Sequence, residues 1–235
     1  MFFLTKGKVL TLKVTYYRAG STTSIKKFSE VFFEELYEPG KERPVFIIGI
    51  TGIGEVGRIT VEIIKELTDA QLLCRVYSPY FPDQVQIEDG VYELLHYEIH
   101  HAKTGGRDVF LLSGDFQPDF TIPESSYTVA EGIVDYIVNL GCRRILVVDG
   151  FMNSKEIAVT SNDSDILSKL IKAGAKPYRG YISGLAGLIL GLSALRGDVI
   201  CVGVLAGCRN VKGDKAASLR ALKFIDNVLG LDLNI

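Results

Sequence analysis

The sequence predicts an α/β fold, in which three layers place helices on both faces of a mostly parallel (mixed) sheet. From residue 45 onward, apolar strand patterns alternate with segments of helical apolar spacing, the order typical of layered α/β domains. The exception is the region 85–101, whose alternating side chains predict antiparallel strands. Neither a linker-like composition nor a fixed-period repeat divides the 235 residues. We therefore expect a single domain over 1–235.

The first 43 residues are expected to form an N-terminal strand or hairpin extension of that domain. Residues 9–17 alternate apolar and polar side chains, which is typical of a half-exposed strand. Residues 25–36 fit a strand or a short helix. A break at Glu38-Pro39-Gly40 then separates the extension from the first buried strand.

The first βα unit covers residues 44–67. An apolar run at 45–50 is followed by Gly52, Gly54 and Gly57 in the spacing G-x-G-x-x-G, and then by a helical pattern. This spacing occurs in dinucleotide-binding loops, where the helix N-terminus holds phosphate. The acidic residue that should follow about 20 positions later is absent, because the next strand, 71–77, runs into Ser78-Pro79-Tyr80. The favoured interpretation is a glycine turn that packs a helix tightly onto a sheet, and phosphate binding is the alternative.

The later elements follow in chain order. Strands are predicted at 85–87, 91–101, 108–112, 144–148 and 199–205, and helices at 123–141, 161–174, 181–195 and 214–230. Residues 161–163, Ser-Asn-Asp, are expected to cap the helix 161–174, and Asp214 is expected to cap the helix 214–230. The helix 181–195 contains Gly184, Gly187 and Gly191, which reduce helix stability and therefore predict a very close neighbour. At about 15 residues it is too short to span a bilayer.

Composition excludes several classes of protein. Charged residues of both signs are mixed along the chain, with a formal net charge of -2, so no nucleic-acid surface is expected. The four cysteines are scattered and none forms C-x-x-C, which argues against a disulfide framework or a zinc site. No signal sequence is recognisable at the start. We expect a soluble, cytoplasmic protein with no membrane partner.

Ligands of such sheets bind where the carboxyl ends of the strands meet. The loops expected there are 51–57, 113–117, 149–153 and 205–210. The candidate pocket residues are Thr51, Gly52, Gly54, Glu55, Gly57, Ser113, Asp115, Gln117, Asp149 and Asn153. The alternative is that these are ordinary strand-to-helix turns, in which Gly, Asp and Ser are common for conformational reasons.

Catalytic and metal-binding patterns are weak. On a strand, His96, Glu98 and His100 point to one face and can grip a divalent metal, but a solvated polar face is the favoured interpretation. Ser183 misses the G-x-S-x-G spacing, and the chain has no Gly-Lys-Ser/Thr of a P-loop. We therefore predict no catalytic residue, no metal and no cofactor.

Four stretches together resemble the proteasome assembly chaperone family, in its archaeal and bacterial branch. They are GITGIGEVG at 49–57, LSGDFQP at 112–118, DGF at 149–151 and GYISGLAGLILG at 180–191, and a helix beginning DKAA at 214 also fits. The resemblance covers residues 44–231. It implies an α/β/α fold similar to purine nucleoside phosphorylases, a homo-oligomer, and a non-catalytic role that holds proteasome α-subunits during ring assembly. Some relatives carry an ATP-grasp label, but no residue set here supports that chemistry.

The resemblance also draws attention to the tail, Leu233, Asn234 and Ile235. Archaeal members can end in a hydrophobic-tyrosine-any tail that docks between α-subunits, and Asn234 stands where the tyrosine is expected. Three hypotheses stay open: a protein-binding oligomer, an enzyme or sensor of nucleotides or nucleosides that uses the loop 51–57, and a purely structural self-assembling protein. An exposed apolar patch within residues 77–97 would favour a partner surface.

Overall fold

The computed structural model describes residues 14–18 and 21–235. The strands are β1 (Val14–Arg18), β2 (Ser21–Phe28), β3 (Val31–Glu35), β4 (Val45–Ile50), β5 (Gln71–Tyr77), β6 (Val85–Glu88), β7 (Val91–Leu94), β8 (Tyr97–Thr104), β9 (Arg107–Gly114), β10 (Arg144–Met152), β11 (Ile157–Ser161), β12 (Lys176–Pro177) and β13 (Ile200–Cys208). The helices are α1 (Val56–Leu67), α2 (Ser125–Asn139), α3 (Ser164–Lys172), α4 (Gly184–Arg196) and α5 (Lys215–Leu229). A short 3-10 turn, Ile53–Glu55, leads into α1.

Eleven strands form one mixed sheet in the order β1-β2-β3-β5-β8-β9-β4-β10-β13-β11-β12. The four strands β9, β4, β10 and β13 at its centre are parallel to one another. From β9 outward to β1, and between β13 and β11, neighbouring strands are antiparallel. The outermost pair, β11 and β12, is again parallel. The sheet is therefore mixed, as predicted, with antiparallel pairs in the majority.

Helices pack on both faces of this sheet. Along β4, Phe46 and Ile48 face the cluster that contains α2 and α4, whereas Val45 and Ile47 face the cluster that contains α1, α3 and α5. A strand covered on both faces has no polar side, which explains why β4 is a continuous apolar run. These contacts confirm the α/β prediction with a mixed sheet. The likeness to purine nucleoside phosphorylases stays a prediction.

Strands β1, β2 and β3 are joined by antiparallel pairing at one side of the sheet. Residues 25–36 form parts of β2 and β3 and not a helix, and β3 joins the sheet through β5. Of the strand predicted at 9–17, the structure describes only the residues from 14 onward.

Other element bounds differ from the predictions. β10 continues through Asp149 to Met152, so the first part of the predicted loop 149–153 is strand. The strand β11 was not predicted, and the strand predicted at 91–101 is divided into β7 and β8. Helix α4 begins at Gly184, three residues later than expected. None of the helices in the described part of the chain has the length and apolar character needed to cross a bilayer.

Candidate functional site

The glycines of the first loop bring main chains into direct contact. A Cβ atom on Gly57 would fall on the carbonyl oxygen of Val148, and one on Gly49 would fall on the carbonyl oxygen of Gly57. A Cβ on Gly150 would fall on the carbonyl oxygen of Ile53. Only glycine fits at such approaches. Helix α1 therefore begins pressed against β4 and β10, as the packing interpretation requires.

The backbone groups of the turn are bonded within the chain. The Gly54 N–H donates to the Val211 carbonyl oxygen at 2.8 Å, and the Gly54 carbonyl accepts from the Asp214 N–H at 2.9 Å. The Glu55 N–H donates to the Gly52 carbonyl at 3.0 Å. Gly54 itself has a φ of 69°, a conformation that favours glycine. Because these amides already have acceptors, they are not free to hold a phosphate.

The side chain of Asp149 contacts the same turn. Its Oδ1 accepts the Gly150 N–H at 2.7 Å, and a Cβ on Gly52 would lie 2.5 Å from that oxygen. Burial raises the pKa of the Asp149 carboxyl to about 6, against the opposing effect of hydrogen bonds from the Gly150 and Ile53 N–H groups. Asp149 was predicted to line a pocket with the loop 51–57. In the structure its carboxyl group contacts that loop and holds it in place.

Gln117 connects the first loop to helix α4. Its Nε2 donates to the Thr51 carbonyl at 2.6 Å, and its Oε1 accepts the Leu185 N–H at 3.1 Å. Asn153, in the left-handed region with φ 64°, donates its N–H to the Cys208 carbonyl at 3.0 Å. These predicted pocket residues therefore join neighbouring loops to one another.

Ser113 and Asp115 belong to a different place, an open cavity of about 670 Å³ beside the sheet. Its lining is mostly charged and comes from α1, β5, β8, β9 and the β6–β7 hairpin: Arg58, Glu62, Arg75, Gln86, Glu88, Asp89, Val91, Glu93, His96, Glu98, Ser113, Gly114 and Asp115. The Nε of Arg75 is buried and has no hydrogen-bond partner. Sequence reasoning missed this cavity, because its walls come from segments that only the tertiary fold brings together.

The three residues of the predicted His-x-Glu-x-His row lie close together. Glu98 lies 3.9 Å from His96 Nε2 and 3.6 Å from His100 Nε2. The neighbouring Glu98 carboxylate raises the pKa of His96, whereas burial lowers the pKa of His100. Across residues 14–18 and 21–235, no three His, Cys, Asp or Glu side chains are grouped to hold a metal ion.

The β6–β7 hairpin, residues 85–94, is a separate two-stranded sheet that we name the hairpin arm. Val85 pairs with Leu94 and Ile87 with Tyr92, so these four apolar side chains share one face. All four are exposed, Tyr92 by 74%. The other face of the arm contributes Gln86, Glu88, Val91 and Glu93 to the cavity. An exposed apolar patch is thus present within residues 77–97.

The chain was compared with models of known protein families. The model of the PAC2 family matches residues 46–235. The chain belongs to the PAC2 family. This confirms the resemblance to proteasome assembly chaperones that the four sequence stretches indicated.

Solved PAC2-like structures share the fold. The chain is similar to PbaB of Pyrococcus furiosus, an archaeal proteasome activator, with 25% identity, a TM-score of 0.78, and coverage of 88% of this chain and 94% of that chain. It is also similar to PbaA of the same organism, an archaeal homolog of proteasome-assembly chaperone, with 22% identity, a TM-score of 0.68 and 86% of each chain covered. An uncharacterised protein of Methanocaldococcus jannaschii is 26% identical over 171 residues, which are 66% of this chain and 62% of that protein.

The tail of this PAC2 chain packs against its own body. Leu233 is only 5% exposed and belongs to the cluster beneath α1 and α5, and its N–H donates to Asp226 Oδ1 at 3.2 Å. Asn234 has a φ of 52°, and Ile235 is exposed. Docking through the Leu233 side chain would therefore require this segment to detach.

Proposed function

We propose that this PAC2 chain is a non-catalytic, protein-binding homo-oligomer of the cytoplasm that acts in the manner of a proteasome assembly chaperone. One observation carries the proposal, namely the hairpin arm with Val85, Ile87, Tyr92 and Leu94 in solvent. A two-stranded hairpin is marginally stable alone, and a contiguous exposed apolar face is typical of a partner surface. The glycine loops, in contrast, use their polar groups to join main chains.

The partners we propose are further copies of the chain and proteasome α-subunits. The α-subunits are suggested by PbaB, an archaeal proteasome activator to which the chain is similar over 88% of its length. Helices on both faces of the sheet support the finer fold assignment, a three-layer arrangement similar to purine nucleoside phosphorylases. Fold similarity transfers no phosphorylase activity to this chain.

Size-exclusion chromatography with light scattering tests the proposal. The purified chain is expected to elute above its monomer mass of 25.8 kDa and to co-elute with recombinant proteasome α-subunits. A control protein of similar size and charge should not shift the α-subunits. Failure of both self-association and co-elution at micromolar concentration would contradict the proposal.

The second candidate is a small-molecule binding protein or enzyme for nucleotides or nucleosides. The bonded amides of residues 54 and 55 count against the loop 51–57 as its site. The charged cavity with the unpartnered Nε of Arg75 is the observation in its favour. A thermal-shift screen with nucleotides and nucleosides decides, since a ligand at 100 times its Kd stabilises by about 2.7 kcal/mol. An Arg75→Gln variant should abolish any shift that comes from the cavity.

A further inference from the structure

Three arginines lie together where three central strands of the sheet begin. Arg107 is the first residue of β9, Arg144 is the first residue of β10, and Arg43 precedes β4 by two residues. The strands β9, β4 and β10 are parallel neighbours, so their first residues lie at the same edge of the sheet. We name Arg43, Arg107 and Arg144 the arginine edge.

The guanidinium groups of the arginine edge are close enough to repel one another. Arg107 lies two residues before Val109, and Arg144 lies two residues before Leu146, so both arginines share the sheet face that α1, α3 and α5 cover. Burial lowers the pKa of the Arg107 guanidinium, and the positive charges of Arg43 and Arg144 lower it further. Like charges held near one another cost free energy unless an anion compensates them.

The carboxylates nearest to these arginines in the sequence have other partners. Glu42 pairs with Lys103 at 2.7 Å. Asp108 lies 2.8 Å from His101 Nε2 and accepts the Glu42 N–H. Because side chains alternate along a strand, Asp108 is on the opposite face of β9 from Arg107.

The charges of the arginine edge are therefore uncompensated within the described part of the chain. The arginines that form ion pairs there are Arg58, Arg143 and Arg196. The Nε of Arg107 is buried and has no hydrogen-bond partner. A buried donor without a partner is a point at which an acceptor from outside the chain can bind. The remaining residues, 1–13 and 19–20, contain no Asp or Glu.

The dimensions of the arginine edge suit an extended acidic segment. The three arginines belong to neighbouring strands and span two strand spacings, about 10 Å. Alternate side chains of an extended peptide lie about 7 Å apart on one face, so two acidic residues at positions i and i+2 reach across the cluster. Arg43 and Arg144 are exposed, which leaves room for such a segment. A guanidinium group can bind each carboxylate through two parallel hydrogen bonds.

We propose that the arginine edge binds an acidic segment of a partner protein, with carboxylates at alternate positions of an extended chain. This inference rests on the protein-binding role of the proposed function and names the chemistry of one partner surface. A nucleic acid fits less well, because its phosphate backbone is bound through many basic contacts and this chain has a net charge of -2.

Binding of a fluorescent hexaglutamate peptide, measured by anisotropy at low ionic strength, tests the inference. The wild type should bind the peptide, and Arg43→Gln with Arg144→Gln should weaken binding at least about tenfold, because charge-assisted hydrogen bonds are lost. Both side chains are exposed, so the double variant should fold. Its unfolding midpoint should be no lower than that of the wild type, since repulsion of Arg107 is relieved.

A second double variant controls for net charge. Lys172→Gln with Arg179→Gln removes the same charge at two exposed positions outside the arginine edge, and it should bind the peptide as the wild type does. A hexaglutamine peptide should not bind. The inference is overturned if the wild type does not bind hexaglutamate, if the two double variants bind it equally, or if an oligothymidine binds more tightly than the peptide. Self-association and co-elution with α-subunits are measured separately by chromatography, so failure of this inference is distinguishable from failure of the proposed function.

Discussion

At the scale of single residues, the glycines divide into those that touch another main chain and those that do not. A methyl group on Gly57 meets the Val148 carbonyl, whereas one on Gly191, inside α4, meets nothing within 4 Å. Gly57→Ala should therefore destabilise the chain by about 3 kcal/mol, since forced overpacking shifts the backbone. Gly191→Ala should stabilise it by up to about 1 kcal/mol through helix propensity.

Urea unfolding of the two glycine variants measures this contrast. The two substitutions add the same methyl group, so a difference in sign between their changes in unfolding free energy comes from the surroundings. Equal effects for Gly57→Ala and Gly191→Ala would show that contact with β10 is not what requires glycine at position 57.

Asp149 should make stability depend on pH. Burial raises the pKa of its carboxyl from 3.8 to about 6, so the folded chain holds this proton more tightly than the unfolded chain does. The stabilisation is complete below the lower value and is lost as pH rises through the higher one. The side chain of Asp149→Asn does not ionise, so this variant should avoid a destabilisation of about 3 kcal/mol at neutral pH.

Denaturant unfolding across that pH range tests the role of Asp149. The wild type should lose stability relative to Asp149→Asn between pH 3.8 and about 6. The two curves should coincide at the acid end, where the carboxyl is protonated. Parallel curves throughout would contradict the role assigned to burial.

At the scale of elements, two helix caps differ in the number of backbone N–H groups that they accept. Asp163 accepts one backbone N–H, that of Ile166, at 2.8 Å. Asp214 is buried and accepts three, from Arg209, Asn210 and Ala217, and these bonds lower the pKa of its carboxyl. The loop that Asp214 organises also bonds Gly54.

The unequal caps give a matched pair of alanine substitutions. Asp163→Ala should cost about 1 kcal/mol, the usual effect of a lost cap. Asp214→Ala should cost at least about twice that, because two further backbone N–H groups, those of Arg209 and Asn210, lose their acceptor. Thermal unfolding of both variants measures the difference, and a smaller loss for Asp214→Ala than for Asp163→Ala would refute it.

Elements with local signals could be predicted from the sequence. The apolar run of β4, the caps Asp163 and Asp214 and the break at Gly230 all act within a few residues, and all were located correctly. The strand β11 was missed, because it exists through antiparallel pairing with β13, about 40 residues later in the chain.

The arrangement of the candidate site depends still more on contacts between residues that are far apart in the sequence. The glycine spacing suggested a phosphate loop, but the acceptor of the Gly54 N–H is Val211. Ser113 and Asp115 were expected beside Gly54, and they instead line a cavity with Arg58 and Arg75. No pattern within one segment carries such information, since loops at the same sheet edge are joined only by the fold.

At the scale of the whole molecule, the features that stand out are surfaces. The hairpin arm exposes the apolar side chains Val85, Ile87, Tyr92 and Leu94 on one face. Salt screens charges but not apolar contacts, so self-association through this face should persist as ionic strength rises. Analytical ultracentrifugation over a salt series measures this, and association that is lost at high salt would contradict an apolar interface.

We propose that this PAC2 chain binds proteins, its own copies and proteasome α-subunits, through its surface. Native mass spectrometry of the chain, alone and mixed with α-subunits, measures such binding as mass. We expect species at whole-number multiples of 25.8 kDa, together with species that contain both proteins. A chain that remains at 25.8 kDa in both samples would contradict it.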